Sequence, residues 1–240
     1  MSVGVVLPAG GRGLRLGQAM PKQFLELSPG RPLLVFALET FHSLAAVSDI
    51  VLVLPPDFLA EYRHLTGRYP KLTLVEGGEA RWQSVQAGVK ALPPACDLIL
   101  IHDAARPFIR AGQIQSCIDA VAAGHCCTLA MPCVDTIKKT AGEKIVSTLD
   151  RNHLIAVQTP QGFSRRVLDG IYRDRGGDPG SSGAMSPPTD ECVMAEEAGH
   201  PVLWVQGGQN VRKITDAEDW EWARWMASRW SAPEQEDDRV

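Results

Sequence analysis

The sequence predicts an α/β domain in which helices cover both faces of a three-layer, mostly parallel β-sheet. Short apolar runs alternate along the chain with segments of helical periodicity, which is typical of repeated β-α units. The runs are apolar at successive positions, so both faces of each strand are expected to be buried. Sheets of this kind bind ligands beyond the carboxyl ends of their strands, so we expect the functional site in the loops that follow the strands.

Apolar runs and helical patterns define the individual elements. The predicted strands are Val3–Leu7, Asp49–Leu54, Leu72–Val75, Asp97–Ile101, Thr128–Met131 and Val202–Val205. The predicted helices are Leu33–Leu44, Asp57–Thr66, Glu79–Leu92, Ala111–Val121, Arg165–Arg173 and Asp190–Ala198. Farther on, Thr215 to Glu218 matches a capping box and predicts a helix that continues to about Trp230. Its tryptophans are expected to pack on the body of the protein or on a partner subunit.

The domain organisation is predicted to be simple. Residues 1–230 are expected to form one domain, because no repeat or linker divides them. Residues 133–148 alternate between apolar and polar around Ala141-Gly142, which predicts a β-hairpin arm. Residues 176–188 are rich in Gly, Ser and Pro and predict a flexible loop. The polar, acidic residues 231–240 predict a disordered tail.

Composition and charge exclude several classes of function. Lys plus Arg number 24 and Asp plus Glu number 28, so the net charge of −4 lacks the basic field that general nucleic-acid binding needs. No apolar run approaches the ~20 residues of a membrane span, and the first residues lack the basic segment of a secretory signal. The six cysteines form no C-x-x-C pair, so no zinc site is predicted. We therefore expect a cytoplasmic protein that binds neither nucleic acid nor membrane.

The loop after the first predicted strand carries the clearest chemical signal. It runs from Pro8 to Gly17, and glycines at four of its positions allow a tight turn whose N–H groups can cradle an anion. Every charged residue from Pro8 to Gln23 is positive; these residues are Arg12, Arg15 and Lys22. A polyphosphate would satisfy both the turn and the cations. The Walker pattern is absent, and the dinucleotide pattern G-x-G-x-x-G is interrupted at Leu16.

An ordered series of motifs resembles one enzyme family. Pro8-Ala9-Gly10-Gly11-x-Gly13-x-Arg15, followed by Pro21-Lys22-Gln23, resembles the signature of the 2-C-methyl-D-erythritol 4-phosphate cytidylyltransferases. Further motifs follow in the family's order: Gly77-Gly78-x-x-Arg81-x-x-Ser84, His102-Asp103-Ala104-Ala105-Arg106-Pro107, Asp135-Thr136, Asp150-Arg151-Asn152, Gln158-Thr159-Pro160-Gln161, Thr189-Asp190-Glu191 and Lys213-Ile214-Thr215. Three residues depart from the usual pattern: Gly10, Asn210 and Arg212.

The resemblance implies a Rossmann-like nucleotidyltransferase sheet and transfer of a cytidylyl group from CTP to 2-C-methyl-D-erythritol 4-phosphate, with release of pyrophosphate. It implies Mg²⁺ bound mainly through the CTP phosphates, with no residue assigned as a metal ligand, and a cytoplasmic or, after removal of a transit peptide, plastid location. The catalytic residues it implies are Arg15, Lys22, Arg151 and Lys213. The nucleotide-binding residues are Pro8, Ala9, Gly10, Gly11, Gly13, Gly78, Ser84, Asp103 and Ala104. The residues for the sugar-alcohol phosphate are Asp103, Arg106, Thr136, Arg151, Thr159, Thr189 and Lys213.

The residue types suit this chemistry. A phosphate monoester is already anionic near neutral pH, since its second pKa is about 6, so the reaction needs no general base. Catalysis should then consist of positioning two anions and stabilising the charge that develops between them. This explains why the motifs supply Arg and Lys. The resemblance also implies a homodimer in which Thr136 and Arg151 of the arm reach the partner's site.

Alternatives remain open at this point. A ribitol 5-phosphate cytidylyltransferase would share the fold and the nucleotide loop, and only assays with both sugar phosphates separate the two. An NAD(P)-binding oxidoreductase would need an acidic residue about twenty positions after the glycines, at the end of the second strand; that strand ends only at Leu54. A nucleotide-binding regulator without activity is disfavoured by the full cation set. Arg81 is expected to pair with Glu79 or Glu76, and His102 to be a buried histidine with satisfied hydrogen bonds.

Overall fold

A seven-stranded sheet forms the centre of the computed structural model, which describes residues 1–10, 20–174 and 189–230. The strand order is β11-β7-β10-β6-β1-β4-β5. The strands of this sheet are β1 (Val3–Pro8), β4 (Val47–Leu54), β5 (Leu72–Glu76), β6 (Leu98–Ile101), β7 (Cys126–Pro132), β10 (Ile155–Ser164) and β11 (Val202–Gln206). Two small hairpins lie outside it: β2 (Glu26–Ser28) with β3 (Arg31–Pro32), and β8 (Lys138–Ala141) with β9 (Lys144–Thr148).

The sheet is mostly parallel, as the sequence predicts. Only β10 is antiparallel to its neighbours, and it lies between β6 and β7. The sequence did not predict this strand, because Pro160 interrupts its pattern and prolines are rare inside strands. The structure accommodates the interruption with a register shift between Val157 and Gln161. The hairpin prediction for residues 133–148 is confirmed by β8 and β9. The predicted loop at 176–188 and tail at 231–240 lie outside the described residues.

Helices cover both faces of the sheet and complete the three predicted layers. Their bounds are α1 (Leu33–Ser43), α2 (Pro56–Tyr62), α3 (His64–Arg68), α4 (Arg81–Ala91), α5 (Ala111–Ala122), α6 (Arg165–Asp174), α7 (Glu191–Glu197) and α8 (Ala217–Ala227). One core contains buried residues of α1 and α5, and a second contains those of α4, α6 and α7. The single helix predicted at Asp57–Thr66 is wrong, because the chain forms two short helices, α2 and α3, with Arg63 between them.

The last helix packs on a third, smaller core. Phe108 lies between two tryptophans of this region, with ring centroids 5.6 Å from Trp222 and 5.2 Å from Trp230. Trp225 stays exposed. The predicted capping box is displaced by one residue: Asp216 is the N-cap and accepts a 2.9 Å hydrogen bond from the Asp219 N–H. The Thr215 hydroxyl, predicted as the cap, donates instead to the Asp219 carboxylate.

The sheet brings together the loops that contain the predicted site residues. The loops after β1, β5 and β6 begin at the carboxyl ends of adjacent or nearby parallel strands. The loop after β11 returns to the one after β6, where the Ile214 N–H donates to the Ala105 carbonyl over 2.9 Å. Within the described ranges, no helix combines the length and apolar character that crossing a bilayer requires.

Candidate active site

Backbone groups and glycines form the first part of the site, at the ends of β1 and β5. The Gly78 N–H donates to the Ser84 hydroxyl over 3.2 Å, which fixes the loop after β5 against the first turns of α4. A Cβ atom on Gly77 would lie 2.8 Å from that hydroxyl oxygen, and one on Gly10 would lie 3.3 Å from it. A side chain would therefore collide at Gly77 and would be tightly packed at Gly10, so glycines suit the place where the two loops and α4 approach one another.

The loop after β1 is fixed at its start by internal hydrogen bonds. The Ala9 N–H donates to the Val53 carbonyl over 2.8 Å, and the Gln23 side-chain amide donates to the Ala9 carbonyl over 2.6 Å. The Ala104 N–H donates to the Pro8 carbonyl over 3.3 Å, which ties this loop to the one after β6. The predicted nucleotide-binding residues in both loops are thus adjacent.

Asp103 is the centre of the charged part of the site. Its carboxylate is mostly buried and lies just beyond the end of β6. Arg81 Nε lies 3.3 Å from Asp103 Oδ1, and Lys213 Nζ lies 2.8 Å from Asp103 Oδ2. Arg106 Nε lies 3.8 Å from the same Oδ2. Three cations therefore surround one carboxylate: Arg106 comes from the turn that follows Asp103, and Arg81 and Lys213 come from other parts of the chain.

These cations keep the carboxylate ionised. Burial alone would raise the pKa of Asp103, but the positive charges of Arg81, Lys213 and Arg106 outweigh it and hold this pKa well below its ordinary value. Burial also opposes the positive charge of the Arg81 guanidinium. The carboxylates of Glu191 and Asp103 more than compensate for burial, so the pKa of Arg81 is raised. Within the described ranges, Arg106 pairs only with the carboxylate of Asp103, and burial lowers its pKa.

His102 and Thr159 hold the backbone of Asp103 in place through a chain of hydrogen bonds. His102 Nε2 lies 3.0 Å from the Arg106 carbonyl oxygen, which can only accept, so Nε2 carries the proton. Nδ1 is then an acceptor, and the Thr159 hydroxyl donates to it over 3.1 Å. The same hydroxyl oxygen accepts the Asp103 N–H over 3.1 Å. The predicted satisfied, buried histidine is confirmed, and Thr159 can offer a ligand only an acceptor.

Arg106 is held by the loop after β11. Its Nη1 donates to the Val211 carbonyl over 2.8 Å. The same loop carries two of the residues that depart from the family pattern, and both have structural contacts. Asn210 Nδ2 donates to the Phe108 carbonyl over 2.7 Å. Arg212 pairs with Asp219 and lies 5.8 Å from the ring centre of Trp222. These contacts fix the loop that brings Lys213 to Asp103.

Two contacts of this network were not predicted. The expectation that Arg81 pairs with Glu79 or Glu76 is wrong, because its partners are Asp103 and Glu191. Glu191 was not predicted as a site residue, yet Arg81 Nη1 donates to its Oε2 over 2.7 Å. The only signal was that both residues fall within family motifs. Closeness in sequence favours Glu79 and Glu76, whereas only the folded topology brings α4 and α7 together.

The remaining predicted residues lie elsewhere or outside the description. Lys22 begins a short 3₁₀ helix, Lys22–Phe24, and is partly exposed. Thr189 is exposed and immediately precedes Asp190, the N-cap of α7. The residues that fall outside the described ranges are Gly11, Gly13 and Arg15.

Thr136 and Arg151 lie at the base of the arm. Both are exposed, and Arg151 Nη1 donates to the Val134 carbonyl over 2.7 Å. Among the described residues, no hydrogen bond or ion pair joins either of them to Asp103 or Lys213. A single chain therefore does not bring the predicted arm residues into the charged network.

The described carboxylates do not form a metal cage. No group of three or more His, Cys, Asp or Glu side chains with metal-binding geometry occurs in the described part of the chain. Both oxygens of Asp103 already contact cations, Arg81 on one and Lys213 on the other. A divalent ion at this edge would accordingly need its ligands chiefly from substrate phosphates and water.

Comparison with known proteins identifies the family. Residues 3–229 match the model of the family IspD, 2-C-methyl-D-erythritol 4-phosphate cytidylyltransferase. The chain belongs to this family. A 2-C-methyl-D-erythritol 4-phosphate cytidylyltransferase of Streptomyces avermitilis is 37% identical over 223 residues, which cover 88% of this chain and 85% of the relative. A bifunctional enzyme IspD/IspF of Solidesulfovibrio magneticus is 41% identical over 230 residues. That match covers 91% of this chain but only 56% of the bifunctional relative.

Solved structures support the same assignment. The crystal structure of 4-diphosphocytidyl-2C-methyl-D-erythritol synthase from Anaerococcus prevotii superposes with a TM-score of 0.80 at 25% identity. It covers 95% of this chain and 96% of that one. The 2-C-methyl-D-erythritol 4-phosphate cytidylyltransferase of Francisella tularensis has a TM-score of 0.78 at 25% identity. This match covers 94% of this chain and 99% of that one. The predicted fold class and family are thereby confirmed.

Burial of His102 predicts a pH-dependent loss of stability. Burial lowers its pKa from 6.5 to about 4, so between these values the unfolded chain binds a proton that the folded chain does not. The free energy of unfolding is therefore unaffected by His102 above pH 6.5, the pKa of the unfolded chain. It decreases by up to about 3 kcal/mol as the pH falls to about 4, the pKa in the folded protein. The amide of a glutamine can make both hydrogen bonds but does not titrate, so His102→Gln should lack this decrease in the free energy of unfolding. Urea denaturation of both proteins between pH 7 and pH 4 measures the difference, and identical pH dependences would contradict it.

Proposed function

We propose that this chain transfers a cytidylyl group from CTP to 2-C-methyl-D-erythritol 4-phosphate, giving 4-diphosphocytidyl-2-C-methyl-D-erythritol and pyrophosphate. Family membership supports the reaction class. The observation that carries the proposal is the group of cations around Asp103, adjacent to the glycine-containing loops after β1 and β5. These loops offer backbone groups for a nucleotide, while the cations offer charge for a phosphate.

Lys213 is the cation best placed for the sugar-alcohol phosphate. Its side chain is 42% exposed while it contacts Asp103, so its ammonium can donate to a second anion from the solvent side. Asp103 accepts hydrogen bonds only, which suits the hydroxyl groups of a sugar alcohol. The pair can therefore hold the phosphate with the cation and the hydroxyls with the carboxylate. Arg106 supports Asp103 from the buried side.

The reaction needs charge stabilisation and alignment. A phosphate oxygen of the sugar-alcohol phosphate attacks the α-phosphorus of CTP, and the bond from that phosphorus to the bridging oxygen of the β-phosphate breaks. Arg15 and Lys22, on the loop after β1, would neutralise the charge that develops at the α-phosphate. Mg²⁺ bound to the phosphates of CTP would screen the negative charge of the triphosphate. The absence of a nucleophilic triad from the motif set agrees with direct displacement.

The arm supports a homodimer with shared sites. Its strands β8 and β9 are exposed throughout, and the apolar side chains of Ile145 and Val146 are 66% and 59% exposed. A two-stranded hairpin of this kind is marginal in water unless it docks on another surface. Beside its base, a cavity of about 470 Å³ is lined by residues that include Arg151, Ile155 and Trp204. Docking of a second chain here would cover these residues and would bring Thr136 and Arg151 to the partner's site.

Pyrophosphate release tests the proposed reaction. With Mg²⁺ and CTP, the purified chain should release pyrophosphate when 2-C-methyl-D-erythritol 4-phosphate is added. Lys22→Met should lower kcat by about 100-fold or more while CTP binds within about threefold of wild type, because the lysine acts on transition-state charge. Lys90→Met, at an exposed position on α4, serves as the control. Faster release with ribitol 5-phosphate, or normal turnover by Lys22→Met, would refute this account.

The dimer has its own test. Sedimentation velocity should show a dimer for the wild type and for Glu143→Gln at the tip of the arm, and a monomer for Ile145→Asp, because a charge replaces an apolar contact. The monomer should use the sugar-alcohol phosphate at least about 10-fold less efficiently, since Thr136 and Arg151 leave the partner's site. A monomer with full activity would overturn the shared-site arrangement.

A further inference from the structure

We propose that Glu191 and Arg81 are positioning residues that aim the Asp103 carboxylate at the hydroxyl groups of the sugar-alcohol phosphate. The inference rests on the proposed function, because it concerns how that substrate is held. Neither residue needs to touch the reacting atoms. Glu191 fixes Arg81, Arg81 fixes one oxygen of Asp103, and the substrate meets Asp103.

Glu191 is a fixed point in the interior. It is the first residue of α7, and only 1% of its side chain is exposed. Its N–H donates to the Gln161 side-chain oxygen over 3.3 Å, which ties the start of α7 to β10. Because its backbone is tied to β10 and its side chain is enclosed in the interior, Glu191 has little freedom to follow movements of Arg81. It therefore defines where the guanidinium lies.

Arg81 transmits that position to the site through two different nitrogens. Nη1 lies 2.7 Å from Glu191 Oε2, and Nε lies 3.3 Å from Asp103 Oδ1. The guanidinium is planar and rigid, so a fixed Nη1 restricts where Nε can be. Lys213 holds the other oxygen, Oδ2, at 2.8 Å. Both oxygens are thus oriented, and their remaining lone pairs are available to hydroxyl donors.

A charge at position 191 is costly for the fold, which argues against a purely structural role. Burial raises the pKa of Glu191, and Arg81 only partly opposes this. Burial and the charge of Glu191 also raise the pKa of the nearby Tyr172 hydroxyl well above its usual value. Removing one partner of a buried ion pair usually destabilises a protein because the other charge loses its compensation, but here Arg81 would keep Asp103 as a second carboxylate. A glutamine would fill the same space, so retention of a carboxylate here fits the need to hold Arg81.

Glu191→Gln separates the two roles, with the exposed Glu196→Gln on the same helix as the matched control. The measurements are pyrophosphate release with Mg²⁺ and CTP at varied 2-C-methyl-D-erythritol 4-phosphate, the KM for CTP, and the thermal midpoint. We expect Glu191→Gln to raise the KM for the sugar-alcohol phosphate by about 10-fold, with the KM for CTP within about threefold and a thermal midpoint that stays above the assay temperature. Glu196→Gln should match the wild type in all three.

Arg81→Lys provides a second variant if Glu191→Gln does not fold. Its single ammonium keeps the charge opposite Glu191 but cannot span both carboxylates, so the same selective rise in KM is expected. Unchanged KM for the sugar-alcohol phosphate in either folded variant, or equal rises for both substrates, would overturn the positioning role while leaving the reaction intact. A wild-type protein that does not turn over this substrate would instead refute the proposed function, and this inference with it.

Discussion

A mostly buried carboxylate that requires positive partners organises the site. Asp103 lies just beyond the end of β6, with only 11% of its side chain exposed, where an uncompensated charge would be unstable. Arg81 comes from α4, Lys213 from the loop after β11, and Arg106 from the turn that follows Asp103 itself. The need to neutralise one anion therefore determines how three parts of the chain meet.

The same interaction prepares the site for anionic substrates. Cations gathered around a carboxylate are already desolvated and oriented, so substrate binding requires little further rearrangement. Lys213 remains partly exposed, whereas Arg81 is engaged with two carboxylates. Lys213 is thus available to bind a phosphate, whereas Arg81 and Arg106 hold the Asp103 carboxylate in place. The glycine-containing loops beside them leave space for a nucleotide.

Much of this could be predicted from the sequence, and the errors have physical reasons. Parallel strands such as β1 and β6 are continuous apolar runs, so their positions were clear, and the ordered motifs indicated the family. Strand β10 was missed because Pro160 and a register shift interrupt its pattern. The partners predicted for Arg81 were wrong because Glu191 is 110 residues away in sequence, and only the folded topology makes the two residues neighbours. The roles proposed for Thr136 and Arg151 require a second chain, and neither the sequence nor the fold of one chain places them in the charged network.

The most direct test of the central interaction is a ¹³C NMR titration of the Asp103 carboxyl carbon, assigned by comparison with Asp103→Asn. Because Arg81, Lys213 and Arg106 hold its pKa well below the ordinary 3.8, the carbon should show no protonation at pH 3.8 while the protein is folded. Arg81→Lys should shift the titration upward. A midpoint at or above 3.8 in the wild type would show that the cations do not stabilise this carboxylate, and would contradict the account of the site.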